Sequence, residues 1–450
     1  MESTRTVAQP AAIEDVVPPA ATAGPWATAP KAAAADTAEG GRLAILQPLR
    51  VRDFRLVFTG ESVSLIGSQF HFIALAWLAL QLTGSGVVLG TVLMTAAIPR
   101  ALFILLGGAL SDRFSPRTLM LVSNAVRAFV VGIVAGLVLT DNAELWHLYV
   151  LAAIFGLVDA IFHPALNTIV PMLVSDRLLP AANGLVQVMV QLSGLIGPAL
   201  AGLVVAAVQT GPAFAIDSGS FAVATLAILL VHGGRRAGGH ADDEAQGLLA
   251  SVGSGLTYTW RDPAVRSIIV LSAAFNFAFA GPVSVGLPYL ADTRFSGPVD
   301  YGFMVSAFGA GALAGAVVAG SLKRVPRLGL VTLLIAGGLG IGIALVGLAP
   351  NVAVASALGM LIGVGIGFIN VRTIAWLQAR TLPAMRGRVM SLIMLGGVGM
   401  VPFSLAISGV IIDLGAVTFV FAMAGGIIVA AVMAGMLAGV PSRMTDAGAA

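Results

Sequence analysis

Apolar runs long enough to cross a bilayer recur twelve times along this chain. They fall at 54–80, 86–110, 117–139, 146–172, 184–208, 212–232, 264–290, 301–322, 328–349, 352–378, 388–412 and 416–438. A spanning helix needs about 20 mostly apolar residues, so the pattern predicts an all-α membrane protein with twelve transmembrane helices. Most connections are short, such as Leu82-Thr83-Gly84-Ser85-Gly86 and Ala349-Pro350-Asn351. One longer connection follows the sixth span. It carries Arg235, Arg236, Asp242, Asp243 and Glu244 and divides the spans six and six.

The domain organisation expected from this pattern has five parts. Residues 1–48 form an Ala-, Pro- and Thr-rich disordered tail, with no apolar run that could be a signal-peptide core. Residues 49–232 form a first six-helix bundle, 233–260 a central loop, 261–440 a second six-helix bundle and 441–450 a short tail. The halves repeat. Arg52-Asp53-Phe54 opens span one and Arg261-Asp262-Pro263 opens span seven; Gly108-Ala109-Leu110 closes span two and Gly320-Ser321-Leu322 closes span eight. Two such halves normally enclose a site near the membrane midplane and rock around it.

Charge sets the expected orientation. With the N-terminus inside, the cytoplasmic loops hold Arg113, Arg117, Arg177, Arg235, Arg236, Lys323, Arg324, Arg327, Arg380, Arg386 and Arg388, and the outside loops hold Arg294 among acids. The positive-inside rule then places both termini in the cytoplasm and the chain in a bacterial inner membrane. Charged residues make up only 10% of the chain against 58% hydrophobic, which excludes an ordinary soluble domain. Cysteine is absent, so there is no disulfide framework, thiolate nucleophile or Cys-ligated metal. The five His show no metal-ligand spacing, and no Gly-x4-Gly-Lys-Ser/Thr loop exists to cradle ATP. No cofactor is expected. A net charge of +3 gives no reason to expect nucleic acid as a partner.

The turn after span two reads Gly107-Gly108-Ala109-Leu110-Ser111-Asp112-Arg113-Phe114-Ser115-Pro116-Arg117. It resembles the loop 2–3 signature of the major facilitator superfamily, with Ser115 in place of a glycine and Pro116 interrupting the basic run. Gly108 permits close helix approach. Asp112 can face the positive end of a neighbouring helix, and Arg113 and Arg117 can hold carboxylates or lipid phosphates. The resemblance implies that this turn gates the cytoplasmic side against span eleven. Span five carries Gly184, Ser193 and Gly197-Pro198-Ala199-Leu200-Ala201-Gly202. This is similar to the antiporter signature of drug-exporting facilitators, with Ser193 and Ala201 replacing two glycines. Further stretches, including Gly156-Leu157-Val158-Asp159-Ala160 and Arg386-Gly387-Arg388-Val389-Met390-Ser391, resemble the bacterial branch of enterobactin and macrolide exporters. The resemblance covers nearly all of residues 50–440 and implies two pseudo-symmetric six-helix bundles that act as a monomer.

Four ionisable residues fall inside spans of the first half at similar depth: Glu61, Arg100, Arg127 and Asp159. Such residues are expensive in a membrane and usually have a partner or a job. They are expected to form a charge network in which Glu61 or Asp159 exchanges a coupling proton; a static ion network is the alternative. Asp217 and Asp413 are expected to cap helices near the outer face, and Arg372 to snorkel. In the superfamily, spans one, four, seven and ten line the central cavity, with two, five, eight and eleven beside them. That places Gln69, Phe72, Gln187 and Gln191 of the first half, and Asn276, Phe279 and Asn370 of the second, as substrate contacts. An apolar pocket with few polar groups suits a lipophilic ligand.

The expected function is proton-coupled efflux of lipophilic small molecules, such as drugs or siderophores, by alternating access: outward-open with the acid protonated, inward-open with substrate. The partners are then substrate, protons and membrane lipids. Alternatives on the same fold are a lipid or lysophospholipid transporter and an uncoupled or symport uptake facilitator. An enzyme would need clustered catalytic groups, and the chain offers only a mixed-sign network.

Overall fold

The computed structural model describes residues 44–233, 260, 263–322, 324–381 and 385–444. Side chains at 44, 104–113, 263–264, 386–388, 391 and 442–443 lie outside that description. The expected tail over 1–43, most of the central loop and the side chains of Gly108, Asp112 and Arg113 therefore fall outside it as well.

Twelve helices in the described chain are long and apolar enough to cross a membrane. They are α1 (Arg52–Thr83), α2 (Gly86–Arg113), α3 (Pro116–Leu139), α4 (Leu145–Leu173), α5 (Leu179–Val208) and α6 (Thr210–Leu229) in the first half. In the second half α7 is in three pieces, Pro263–Gly281, a π-helical turn at Pro282–Gly286 and Leu287–Arg294. It is followed by α8 (Pro298–Ser321), α9 (Leu328–Val346), α10 (Val352–Arg380), α11 (Arg386–Asp413) and α12 (Val417–Leu437). A 3-10 helix at Ala44–Arg50 precedes α1, and a short α13 (Val440–Arg443) follows α12. No strand occurs among the described residues. A lipid-buried backbone must satisfy its own hydrogen bonds, which is why helix runs through every apolar stretch.

Local chemistry sets the helix ends. Gly84 takes the left-handed conformation (φ +63°) that closes α1, and its N–H donates to the Leu80 carbonyl at 2.7 Å. Pro116, which breaks the basic run of the loop 2–3 motif, stands at the first turn of α3 behind the Ser115 cap. The Asn351 side chain accepts the Val354 N–H at 3.0 Å and starts α10.

Helix packing repeats six helices on. The pairs α1–α5, α1–α6, α2–α4 and α3–α6 recur as α7–α11, α7–α12, α8–α10 and α9–α12. Two main pairs join the halves, α2–α11 and α5–α8, and the same relation exchanges them. In each half the fourth helix packs chiefly on the second and third, α4 on α2 and α3 and α10 on α8 and α9; the minor contacts of α4 with α1 and α5 are not matched by α10 with α7 and α11.

Call the side on which α1 begins the near side and the side on which α2 begins the far side. The hydrogen bonds joining the halves among the described residues fall from the middle to the far side. The Ala199 N–H donates to Ser306 Oγ at 2.9 Å, and Asp413 accepts from Ser85 and Gly86. At the α5–α8 seam, Gly202 and Gly302 let two backbones touch. A Cβ on Gly202 would lie 2.5 Å from the Pro298 carbonyl oxygen. On the near side, Gly329 N–H donates to the Met444 carbonyl at 2.9 Å, pinning the segment after α12 beneath α9.

Candidate functional site

The first half holds a charge cluster at mid-depth in which Arg127 is buried and its partners are partly exposed. Asp159 on α4 accepts a hydrogen bond from Arg127 on α3, and its other oxygen lies 3.4 Å from Arg100 on α2. His163, one turn on from Asp159, lies 3.9 Å away. The Arg127 guanidinium sits over three rings: Phe162 at 4.5 Å, Phe221 at 5.4 Å and Phe155 at 5.7 Å. An aromatic face stabilises a cation it helps to desolvate, so the cage and Asp159 together make burial of Arg127 tolerable.

Glu61 is placed differently. It is 1% exposed on α1, and its Oε1 accepts from the Asn124 amide at 2.9 Å. Its Oε2 is buried without a hydrogen-bond partner. Of the four residues expected to form one network, the structure therefore joins Arg100, Arg127 and Asp159 and sets Glu61 against a neutral amide. Equal depth did not mean contact, because depth fixes height along the bundle but not the direction a side chain faces.

A second buried pair escaped the sequence analysis. Asp217 on α6 is fully buried, and its Oδ2 lies 3.4 Å from His71 Nδ1 on α1. His71 stacks on Phe155 with centroids 4.1 Å apart and planes 4° from parallel, so Phe155 touches both His71 and the Arg127 cage. The expectation that Asp217 caps a helix near the outer face is thus corrected. Its position within the buried stripe Phe214, Asp217, Ser220, Phe221 and Ala224 was the available signal. Asp413 does cap a helix, but the one it caps is α2 of the other half. Arg372 donates to the Leu322 carbonyl at the end of α8 rather than snorkelling freely.

Of the expected gate residues, Arg117 is the one whose side-chain contacts are described. It donates to the carbonyls of Ile228 (3.2 Å) and Leu229 (2.9 Å), capping the end of α6. The span-five signature works as a two-sided spacer. Ser193 Oγ donates to the Leu65 carbonyl of α1 at 2.6 Å, and Gly197 leaves room for Gln69 of α1. Pro198 and Gly202 face Gly302 of α8. Gly184 has open space beside it.

A cavity of about 590 Å³ lies in the second half, lined from α7, α9, α10, α11, α12 and α13. Asn276, Phe279 and Asn370 line it. Gln69, Phe72, Gln187 and Gln191 do not. Gln69 packs on Gly197, Phe72 lies 6.5 Å from the Tyr301 ring, Gln187 is exposed and Gln191 half-buried. This cavity lies inside the second half, between α10 and the helices α7 and α11.

Two helical halves related by a six-helix shift, joined through α2–α11 and α5–α8 and enclosing buried ionisable groups, define a transporter of the major facilitator type. The chain belongs to the transmembrane secretion effector family, whose profile matches residues 43–449. It is 26% identical to the multidrug efflux pump Tap of Mycolicibacterium fortuitum over 56% of this chain, a match that spans 62% of that relative. It is 25% identical to Tap of Mycobacterium tuberculosis over 80% of this chain and 86% of the relative. Macrolide efflux protein A of Streptococcus pyogenes is 22% identical over 75% and 84%. A POT family transporter solved with 5-aminolevulinic acid superposes with a TM-score of 0.69 at 16% identity, covering 88% of this chain and 96% of that one. A bacterial homologue of the lysosomal transporter Spinster, solved inward-facing and unoccupied, gives 0.64 at 15% identity, covering 89% and 98%. The chain is a multi-pass membrane protein, and its family and relatives are transporters rather than enzymes.

Proposed function

We propose that this protein exports lipophilic small molecules across a bacterial inner membrane in exchange for protons, working as a monomer by alternating access. Both termini are cytoplasmic in this reading, because the basic loops gather on the near side. The structure is then an inward-facing state, with its seams on the far side and the exposed Gln187 on the near half of α5. The relatives named as drug and macrolide efflux pumps support export, and the apolar cavity supports a lipophilic substrate.

The observation that carries the coupling is the division of labour between two acids. Asp159 is committed to two guanidiniums, so its charge is spent on holding α2, α3 and α4 together. Glu61 is buried, with an amide on one oxygen and no hydrogen-bond partner on the other. A carboxyl so placed is free to gain and lose a proton as its surroundings change. The cycle runs as follows: Glu61 is protonated from outside in the outward-open state, and substrate binding in the inward-open state accompanies proton release to the cytoplasm.

Substrate accumulation in inverted vesicles under an imposed proton gradient tests this. Glu61→Gln should abolish gradient-driven transport, and Asp159→Asn should lower it together with protein stability. Transport that keeps its pH dependence in both single variants and the double variant refutes the coupling.

A further inference from the structure

The 590 Å³ cavity of the second half lies where the first half has its charge cluster. Helices α4 and α10 begin at Leu145 and Val352, α6 and α12 at Thr210 and Val417. Counting from those starts, Asp159 corresponds to Ile366, Phe162 to Ile369, His163 to Asn370 and Phe221 to Ile428. All four counterparts line the cavity. Replacing a guanidinium cage by aliphatic and small polar side chains leaves the volume unfilled.

Two hydroxyls in that wall are unsatisfied. Thr332 on α9 is 7% exposed; its Oγ1 and that of Thr373 on α10 are buried without a hydrogen-bond partner. Threonine and serine in membrane helices ordinarily bond back to a carbonyl one turn earlier. Thr59, Ser62, Ser68, Thr91, Thr95 and Thr168 all do so here. Thr332 and Thr373 do not, and each lines the hollow. Among the described residues no charged side chain lines it. A buried ion without a counter-charge is strongly disfavoured, so the wall selects against ionic ligands. The volume is that of a drug-sized molecule.

We propose that this cavity is a binding site for an uncharged, lipophilic small molecule carrying one or two hydrogen-bonding groups, held by the hydroxyls of Thr332 and Thr373 once each turns from within the wall toward the ligand. The inference rests on the exporter reading and gives its substrate class. In the cycle this half supplies the binding volume and the other half supplies the proton exchange.

The test uses the full chain in lipid nanodiscs with a neutral photoreactive probe, 4-(trifluoromethyl-diazirinyl)benzyl alcohol, and maps labelled peptides by mass spectrometry. Labelling of peptides spanning Thr332–Leu339 and Ile366–Leu377 should saturate. Ala336→Phe, which fills the cavity from its wall, should abolish both. Labelling at the outward-facing Phe129 and Phe419 should stay unchanged and serve as the check on folding. Thr332→Val and Thr373→Val keep the shape and should each raise the half-saturating probe concentration about fivefold, the factor of one ordinary hydrogen bond. The tetraphenylphosphonium cation should not compete. Non-saturable labelling, labelling indifferent to Ala336→Phe, equal competition by the cation, or a co-purified lipid that the probe cannot displace would each overturn the proposal. Gradient-driven efflux with no saturable labelling here removes the site and leaves the exporter reading. Saturable labelling with no efflux keeps the site and removes that reading.

Discussion

The carboxylate of Asp413, the last residue of α11, caps the first turn of α2. Its Oδ1 accepts the Gly86 N–H at 2.5 Å, and its Oδ2 accepts the Ser85 hydroxyl at 2.5 Å. An anion at a helix N-terminus is favourable, and this one ties the two halves together on the far side. Gly409 makes the approach possible, since a Cβ there would lie 2.6 Å from the Gly86 carbonyl oxygen. Losing such a cap costs about 1 kcal/mol, a several-fold change in the balance between two conformations.

Asp413→Ala should therefore shift the population toward a state open on the far side. The chain has no cysteine, so spin labels on introduced cysteines at Asn142 and Leu348, both exposed in far-side turns, report only the chosen pair. The distance distribution should gain a longer component in the variant. An unchanged distribution would remove Asp413 from the gate.

The α5–α8 seam gives a contrast in sign between two glycines. Glycine to alanine within a helix usually stabilises by about 0.5–1 kcal/mol. At Gly302 the new methyl would strike the Pro198 carbonyl and the backbone of Gly202, whereas at Gly320 it would meet open space. Gly302→Ala should lower the melting temperature by the equivalent of about 1–3 kcal/mol, the cost of overpacking, and Gly320→Ala should not. Equal melting temperatures for the two variants would contradict the seam.

Arg127 and Asp159 should behave as one unit. Removing one partner of a buried pair costs about 3–5 kcal/mol, because the other charge is left behind. Arg127→Leu leaves Asp159 with the half-exposed Arg100 and His163, and Asp159→Leu strands Arg127 inside its aromatic cage. Thermal unfolding of the double variant should be milder than the sum of the two singles. Simple additivity would show that the contact is not energetically coupled.

What was legible in the sequence follows from the solvent. A hydrocarbon surround makes apolar run length decisive, so the spans over 86–110, 117–139 and 352–378 lie within α2, α3 and α10. The close helix packing of the span-five motif was legible because small residues have few other uses there. Which faces meet was less legible. Glu61, Arg127 and Asp159 share a depth, yet only the last two touch, because the rotation of α1 about its axis is set by packing against α5 and α6. The His71–Asp217 pair was missed for the same reason: the two residues lie 146 positions apart on helices whose adjacency is tertiary. The position of the cavity depends on how closely α10 approaches α7 and α11, a tertiary relation that no local pattern records.

The central claim is that Glu61 gives up a proton when substrate binds. The direct measurement adds a neutral exported substrate to purified protein in weakly buffered detergent solution and follows a pH indicator dye. The wild-type chain and Asp413→Ala should release protons on substrate addition, and Glu61→Gln should release none while still binding. Proton release that persists undiminished in Glu61→Gln would contradict the account.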